Sequence, residues 1–324
     1  MTWLSNETVD RLRDVATRPS LAGDRYEILR PLGRGGMGVV YAARDTQLGR
    51  DVALKVSNAQ SAASGLERRL QQEARVLARL EHPGIVPVHD AGLLDDGRVF
   101  YVMKLVQGDT LEAHAATLTN EAAKLGVFER IAETVAFAHA AGVVHRDLKP
   151  SNVMVGRFGE VLVLDWGVAK IVGDGASRRA DRTSVRQDAE DDAVGGTSTG
   201  TADGTRIGTV GFMSPEQARG DAADAGPAAD VYALGAVLSW LLTGAAPSRR
   251  LRAIVEKCLA PAPEARYRDA GALVEDLARY RQGAAVSAHR ETAFERAGLW
   301  FARYRTFILL VIAYLFMRAL LAFR

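Results

Sequence analysis

The sequence has little cysteine and no excess of charge of either sign. Its one cysteine, Cys258, excludes an internal disulfide and a thiolate metal cluster, and its helical, apolar surroundings predict a buried side chain. The 41 lysines and arginines nearly balance the 39 aspartates and glutamates, so no overall field attracts nucleic acid. We therefore expect a protein of a reducing compartment with no nucleic-acid partner.

Long apolar runs are also missing from the N-terminal region, where we expect no secretory signal. No repeat of fixed period is evident. The apolar fraction of 48% over 324 residues is nevertheless ample for a folded core, in one large or two modest domains.

One long apolar run lies at the other end of the sequence. Residues 307–323 are 17 in number, are interrupted only by Arg318, and would span about 26 Å as a helix, which is the short limit for crossing a bilayer. Arginines at 296, 303 and 305 precede the run and predict that the folded part is cytoplasmic. We expect residues 306–324 to form a single-pass tail anchor in the inner membrane. A helix lying on the membrane surface and a buried core helix are the alternatives.

Patterns along the chain indicate two regions of different structure. Between residues 26 and 106, short apolar alternations predict strands, with one helix whose apolar stripe is interrupted by Glu73. A carboxylate on the buried side of a helix needs a cation as partner. Further on, residues 121–141 predict a helix that ends at Gly142, and residues 230–244 predict a buried helix that is apolar on every side. Residues 173–206 are rich in Gly, Ser, Thr and Asp and predict a loop.

The glycine-rich stretch LGRGGMGVVYAARD places Gly33, Gly35 and Gly38 at the spacing G-x-G-x-x-G. The same spacing occurs in dinucleotide-binding folds, where the last glycine opens a helix, and in plain turns. Here the β-forming residues Val39 and Val40 follow at once, which favours a hairpin whose amides approach phosphates.

The strand pattern DVALKVS places Ala53 and Lys55 on one face and its larger apolar residues on the other. A lysine there is typical of a solvated edge, but the small alanine beside it leaves room for a flat ligand. Glu73 is the predicted partner of Lys55. Together they would form a fixed cation aimed at a phosphate.

Two further stretches concentrate polar groups next to apolar strands. VVHRDLKPSNVMV holds Asp147, Lys149 and Asn152 between apolar runs, and VLVLDWGVAK places Asp165 at the end of a strand. Taken alone, Asp165 could be a turn cap. With Asn152 it supplies the oxygen ligands that Mg²⁺ prefers.

The chain resembles protein kinases of the bacterial serine/threonine type, over residues 26–282. Eight features occur in the order of that family: the Gly loop, VALK, the helix glutamate, HRDLKPSN, DWG, GTVGFMSPE, DVYALG and the arginine of EARY. The resemblance implies an α+β, bilobal protein kinase fold, with a small, mainly β lobe carrying one key helix and a larger, mainly α lobe. The implied segments are an N-terminal extension at 1–25, a small lobe at 26–106, a large lobe at 107–282 containing the 173–206 insert, a juxtamembrane linker at 283–305 and the anchor at 306–324.

The resemblance also implies roles for individual residues. Asp147 would accept the proton of a substrate hydroxyl, Lys149 would contact the transferred phosphoryl group, and Asn152 and Asp165 would hold Mg²⁺ or Mn²⁺. Lys55, fixed by Glu73, would bind the α and β phosphates of ATP beneath the Gly loop. The resemblance also implies that adenine would contact Val40, Ala53, Met103, Lys104, Val106 and Met154. The resemblance implies structural roles for Glu216 and Arg266, as an ion pair, and for Asp230.

The function implied is a membrane-anchored serine/threonine protein kinase that transfers the γ-phosphoryl group of Mg·ATP to protein substrates and to itself. A homodimer would allow such autophosphorylation in trans. The sequence departs from the family in Trp166, where phenylalanine is usual, and in the six residues AAPSRR, which replace a helix and long loops of the large lobe. This second departure keeps open a pseudokinase scaffold that binds nucleotide and docks partners at the membrane. A kinase that acts on a small molecule is a further alternative.

Overall fold

The computed structural model describes residues 25–35, 38–57, 66–166, 170–171, 211–219 and 226–289, and, beyond these, residues 304, 309–315 and 317–318. The predicted α+β architecture with two lobes is confirmed. A sheet with one helix forms the first lobe, and a helical bundle with short strands forms the second. The lobes meet where the Val163 N–H donates to the Gly84 carbonyl at 2.8 Å.

The first lobe is a five-stranded antiparallel sheet with the order β1-β2-β3-β5-β4. The glycine-rich stretch forms the hairpin between its first two strands, in agreement with the β-forming residues that follow it. Helix α1 packs against the last two strands in the order. The bounds are β1 Tyr26–Gly35, β2 Gly38–Asp45, β3 Arg50–Ser57, α1 Leu66–Arg79, β4 Val88–Leu93 and β5 Val99–Lys104.

The two faces of this sheet have different partners. On one face, apolar side chains of β2, β3 and β5 form a small core of their own, which includes Val52, Leu54 and Val56. On the other face, Val76 and Leu77 of α1 pack with Tyr101 in the core that continues into the second lobe. The strand alternation expected for DVALKVS is therefore present, with Lys55 on the face opposite to its large apolar neighbours.

The second lobe is built around two long helices. Helix α3 begins at its cap Asn120, and helix α5 is buried along most of its length, as its apolar sequence predicts. Cys258 is fully buried, as expected. The bounds are β6 Gly108–Thr110, α2 Leu111–His114, α3 Glu121–Ala140, β7 Val143–Val144, β8 Val153–Gly156, β9 Val161–Val163, β10 Lys170–Ile171, α4 Pro215–Ala218, α5 Pro227–Leu241, α6 Arg249–Cys258 and α7 Ala270–Arg281.

Residues 242–248, which include the AAPS of AAPSRR, join α5 directly to α6 without a helix between them. Ser248 begins α6 by accepting a hydrogen bond from the Leu251 N–H at 3.3 Å. The Ser248 hydroxyl also donates to the Tyr280 hydroxyl of α7, which in turn donates to Glu121 of α3. These contacts hold the shortened connection against the bundle.

The chain remains attached to the second lobe after α7 ends. The buried carboxylate of Asp276 accepts hydrogen bonds from the Tyr267 hydroxyl at 2.7 Å, from the Ser287 N–H at 2.6 Å and hydroxyl at 2.9 Å, and from the Ala288 N–H at 3.1 Å. Lys257 contacts the Ser287 hydroxyl at 3.1 Å. Burial raises the pKa of Asp276, but these donors outweigh it and hold that pKa below the ordinary value.

Within the ranges that the structure describes, no helix is both long and apolar enough to cross a membrane. Residues 309–315 and 317–318 are helical, and their large apolar side chains are exposed. The rest of the predicted anchor, 306–324, lies outside the described residues, as do the extension 1–24 and the insert 173–206.

Removal of the Asp276 carboxylate should weaken the second lobe. We expect Asp276→Ala to lower the free energy of unfolding by about 3 kcal/mol, because the buried Tyr267 hydroxyl and the donors of Ser287 lose their acceptor. Thermal unfolding should then occur about 6 to 12 °C lower. Glu275→Ala, which removes an exposed carboxylate from the same helix, is the control and should change little. Equal melting temperatures for both variants would contradict this account.

Candidate active site

The loop of residues 145–152 carries Asp147, Lys149 and Asn152. It is fixed by hydrogen bonds to Asp230 of α5. The Asp230 carboxylate is 1% exposed and accepts hydrogen bonds from the backbone N–H groups of His145 and Arg146, each at 2.7 Å. Arg146 has φ of +72°, a conformation that costs energy outside glycine and persists only where surrounding contacts impose it. Burial raises the pKa of Asp230, but hydrogen bonding and the nearby histidines keep it below its ordinary value.

His139, near the end of α3, is a third partner of Asp230 that the sequence analysis missed. Its Nδ1 accepts a hydrogen bond from the Ala270 N–H at 3.1 Å, so Nε2 carries the ring proton and donates to Asp230 at 2.9 Å. The only signal in the sequence was a histidine in the last turn of a helix just before the motif. Its partner lies 91 positions away along the chain.

His145 uses both ring nitrogens within the structure. Nε2 donates to the Leu164 carbonyl at 2.9 Å, and Nδ1 accepts a hydrogen bond from the Asp147 N–H at 3.2 Å. The ring lies 4.6 Å from that of Trp166 and is fully buried. These contacts make His145 a packing and hydrogen-bonding residue.

The structure brings Asp147, Lys149 and Asn152 together. The Lys149 ammonium is 3.0 Å from Asp147 Oδ2, and the Asn152 side-chain amide donates to the same oxygen at 3.0 Å and to the Asp147 carbonyl at 2.7 Å. The Asp147 side chain is 33% exposed. Both contacts engage Oδ2, so Oδ1 is the oxygen that can receive a proton from outside.

Lys55 of β3 and Asp165, which follows β9, form an ion pair between the lobes. Nζ of Lys55 is 2.9 Å from Asp165 Oδ1, and the lysine side chain is only 10% exposed. Asp165 has φ of +62°, which turns its carboxylate away from the line of the strand. The side chain of Glu73, the partner predicted for Lys55, lies outside the described residues.

The pKa of Asp165 is set by opposing influences. The side chain is 46% exposed, yet partial desolvation is the largest influence and raises the pKa. The ammonium of Lys55, supported by His145 and Lys149, outweighs desolvation and holds the pKa below the ordinary value. Asp165 is therefore an anion at neutral pH.

Asn152 and Asp165 fit the chemistry of a site for a divalent cation. The nitrogen of the Asn152 amide is engaged by Asp147, which leaves its oxygen as the group for a metal. The Leu164 N–H donates to the Asn152 carbonyl at 2.8 Å, so the residue before Asp165 is joined to Asn152. An amide oxygen and a carboxylate suit Mg²⁺.

The residues predicted to surround adenine fall on four strands, β2, β3, β5 and β8, and on the segment that follows β5. Val40, Ala53 and Met103 belong to one face of the sheet, because Val40 pairs with Lys55 and Ala53 pairs with Met103 in register. Met154 lies on β8, while Lys104 and Val106 lie where the chain passes from β5 to the second lobe.

The three glycines of the motif occupy the hairpin of β1 and β2, where Gly35 pairs with Gly38. A Cβ atom at Gly38 would lie 2.1 Å from the Val56 carbonyl oxygen, so only glycine fits against β3 there. A Cβ atom at Gly33 would meet nothing within 4 Å. A side chain is therefore excluded by β3 at Gly38 but would meet no neighbouring atom within 4 Å at Gly33.

Glu216 of α4 and Arg266, which precedes α7, form a bidentate ion pair. The guanidinium donates to the two carboxylate oxygens at 2.7 and 2.8 Å and also to the carbonyls of Ala228, Ala260 and Pro261. Burial raises the pKa of Glu216, but the Arg266 guanidinium outweighs it and lowers that pKa. The pair fastens α4 to the helical bundle. Gln217 of α4 in turn donates to the Arg146 carbonyl at 2.8 Å.

Comparison with known proteins supports one family. Residues 26–261 match the family described as the protein kinase domain. The chain is 35% identical over 301 residues to serine/threonine-protein kinase PknB of Mycobacterium tuberculosis, which covers 82% of this chain and 44% of PknB. It is 33% identical over 300 residues to serine/threonine-protein kinase PknD of Chlamydia caviae, which covers 80% of this chain and 31% of PknD. The chain thus spans less than half the length of these relatives.

Solved structures give the same result. The kinase domain of M. tuberculosis PknI superposes with a TM-score of 0.56 and 26% identity, covering 80% of this chain and 97% of that domain. A second crystal structure of the same domain superposes with a TM-score of 0.57 and 25% identity.

Replacement of Lys55 should change the ionisation of Asp165. In Lys55→Met we expect the pKa of Asp165 to rise, because desolvation then acts with less compensating positive charge. The titration of the Asp165 carboxyl carbon, followed by NMR with labelled aspartate, measures this. Lys104→Met, which removes an exposed ammonium at the end of β5, should leave the titration unchanged. A pKa that is the same in wild type and Lys55→Met would contradict the ion pair.

Proposed function

We propose that this chain, which belongs to the protein kinase family and to its bacterial serine/threonine type, transfers the γ-phosphoryl group of ATP to serine and threonine hydroxyls of protein substrates, including its own. The observation that carries the proposal is the cluster of Asp147, Lys149 and Asn152 on a loop held by Asp230. Phosphoryl transfer requires alignment and neutralisation of charge more than covalent participation by the protein.

Asp147 would bind the substrate hydroxyl and accept its proton through Oδ1. The hydroxyl oxygen forms a bond to the γ-phosphorus while the bond from that phosphorus to the bridging oxygen breaks, and ADP leaves with the electron pair. Lys149, held 3.0 Å from Asp147, lies where it can neutralise charge on the transferred group. A lysine two residues after the aspartate is the serine/threonine form of the motif.

Nucleotide and metal would be held by groups from both lobes. Asn152 and Asp165 would hold Mg²⁺ or Mn²⁺, which when bound neutralises phosphate charge. Lys55 would bind the α and β phosphates with Glu73 as its support, and the backbone at Gly33, Gly35 and Gly38 would cover them. Val40, Ala53 and Met154 would form the apolar walls for adenine, with Met103 as the gatekeeper and the backbone at Lys104 and Val106 as the hinge.

A second candidate function is a pseudokinase scaffold that binds nucleotide and docks partners. The direct connection from α5 to α6 favours it, because α6 begins at Arg249 without an intervening helix. That region is the part of the fold which the resemblance associates with docking of substrates. The chemistry of the loop is unaffected by this shortening, so transfer remains the first proposal.

We further propose that the C-terminal segment anchors the chain in the inner membrane as a single helix with the catalytic lobes on the cytoplasmic side. Exposed apolar side chains support this proposal, among them Leu309, Leu310, Ile312 and Leu315. Such a contiguous exposed surface is unfavourable in water and is typical of a segment that contacts lipid or another apolar surface.

Charge placed in this segment should weaken its association with the membrane. We expect the pair Leu310→Arg and Ile312→Arg to move the full chain from the membrane fraction to the soluble fraction, since each arginine at a helix centre costs about 3 kcal/mol in a bilayer. Alkaline extraction of membranes measures this. Phe158→Arg, which charges a side chain that is 97% exposed elsewhere, should leave the distribution unchanged. Retention of the double variant would contradict the anchor.

Loss of the Asp147 carboxylate should abolish transfer. We expect Asp147→Asn to lower the rate of phosphate incorporation from labelled ATP by about 10²- to 10⁴-fold, because the proton acceptor is lost. Identification of phosphoserine and phosphothreonine in the full chain and in an added protein substrate measures the activity. Asp51→Asn, at an exposed position on β3, is the control. Equal labelling of wild type and Asp147→Asn would contradict the proposal, and stabilisation by ATP with no transfer would favour the scaffold.

A further inference from the structure

The peptide group between Arg146 and Asp147 is held at both ends by hydrogen bonds. Its N–H, which belongs to Asp147, donates to Nδ1 of His145 at 3.2 Å. Its carbonyl, which belongs to Arg146, accepts a hydrogen bond from the Gln217 side chain of α4 at 2.8 Å. Because this rigid, planar group is bonded to the Cα atom of Asp147, its orientation helps to determine where the Asp147 carboxylate lies.

Gln217 joins this peptide group to the beginning of α4. Its Oε1 accepts hydrogen bonds from the Ser214 N–H at 3.3 Å and from the Ser214 hydroxyl at 2.9 Å. Its Nε2 donates to the Arg146 carbonyl, which can only accept, so the two ends of the amide have different and fixed partners. The neighbouring Glu216 is paired with Arg266. The amide is therefore carried by an element that is itself attached to the helical bundle.

The backbone of Arg146 is held on both sides by different helices. Its φ of +72° is unfavourable for an arginine and persists only where surrounding contacts impose it. Asp230 of α5 binds the Arg146 N–H at 2.7 Å, and Gln217 of α4 binds the Arg146 carbonyl at 2.8 Å. Loss of the second contact would leave the carbonyl free to turn, and the N–H of Asp147 would turn with it.

We propose that Gln217 is a positioning residue for Asp147, a role that rests on the proposed function. By donating to the Arg146 carbonyl, its amide fixes the peptide group that precedes Asp147 and keeps the Asp147 carboxylate where it can accept the proton of a substrate hydroxyl. Gln217 acts through the backbone and takes no part in the proton transfer itself. A displacement of about 1 Å at a catalytic group can lower a rate about 100-fold, so even a partial loss of this constraint is measurable.

Gln217→Glu separates positioning from a purely structural role. The carboxylate keeps both acceptor contacts with Ser214 and gives α4 the usual S-x-x-E capping box, so α4 should be no less stable. An ionised carboxylate cannot, however, donate to the Arg146 carbonyl. We expect kcat for phosphate transfer by the full chain to fall about tenfold at neutral pH, with the KM values for ATP and protein substrate changed by less than about twofold.

Acid should restore the activity of this variant. When the introduced carboxyl group is protonated, its O–H can donate to the Arg146 carbonyl while its other oxygen accepts from Ser214, as the amide does. The ratio of wild-type kcat to Gln217→Glu kcat should therefore be large above the pKa of that carboxyl group and approach one below it. Gln282→Glu makes the same chemical change at an exposed position and should give a ratio near one throughout.

Three outcomes of these rate measurements would overturn the proposal. The first is a ratio near one for Gln217→Glu at every pH, which is the result that a purely structural role in α4 predicts. The second is a loss of the same size at every pH, because donation of a proton would then not be the cause. The third is a change in KM alone, which would place the effect in substrate binding.

Amide exchange of Asp147 in the full chain, followed by NMR, measures the constraint without turnover. Gln217→Met keeps the length of the side chain and removes its polar groups, so the Asp147 amide should exchange about tenfold faster, as loss of one hydrogen bond predicts. Ser214→Ala removes a contact of Oε1 but keeps the donor to Arg146, and should leave this exchange unchanged. Unchanged exchange in Gln217→Met, or equal acceleration in Ser214→Ala, would overturn the proposal. A wild-type chain that transfers no phosphate would contradict the proposed function, whereas exchange at Asp147 would still report whether Gln217 positions it.

Discussion

The buried carboxylate of Asp230 is the constraint on which the rest of the site depends. It accepts hydrogen bonds from two successive backbone N–H groups, at His145 and Arg146, and so holds Arg146 at a positive φ that a free chain would rarely adopt. This conformation presents Asp147 outward while His145 points into the core. An anion that is buried this deeply needs donors around it, and His139 supplies the third of them.

The ion pair of Lys55 and Asp165 connects the segment that follows β9 to the first lobe. The lysine belongs to β3, and the aspartate follows a strand whose Val163 bonds to Gly84 beyond α1. The position of Lys55 therefore depends on the whole sheet, and that of Asp165 depends on the helical lobe.

Several features of the fold and site followed from local pattern. The hairpin at the glycines, the faces of β3 and the buried character of α5 and Cys258 were predicted because each depends on residues close together in sequence. The role of His139, the pairing of Lys55 with Asp165 and the attachment of Ser287 to Asp276 were not predicted. Their partners lie 91, 110 and 11 positions away, respectively, and the first two pairs belong to different elements. The third joins a helix to a segment with no regular pattern.

The sequence by itself determined which residues could carry chemistry, since residue types, their spacing and their order are properties of the chain alone. It determined the family for the same reason. Only the tertiary structure decided which of those groups share a hydrogen bond, because such contacts form between segments whose separation the local pattern does not encode. The pKa of Asp165 illustrates the difference. The carboxyl group is given by the sequence, but the Lys55 ammonium that keeps it ionised comes close to it only when the two lobes fold together.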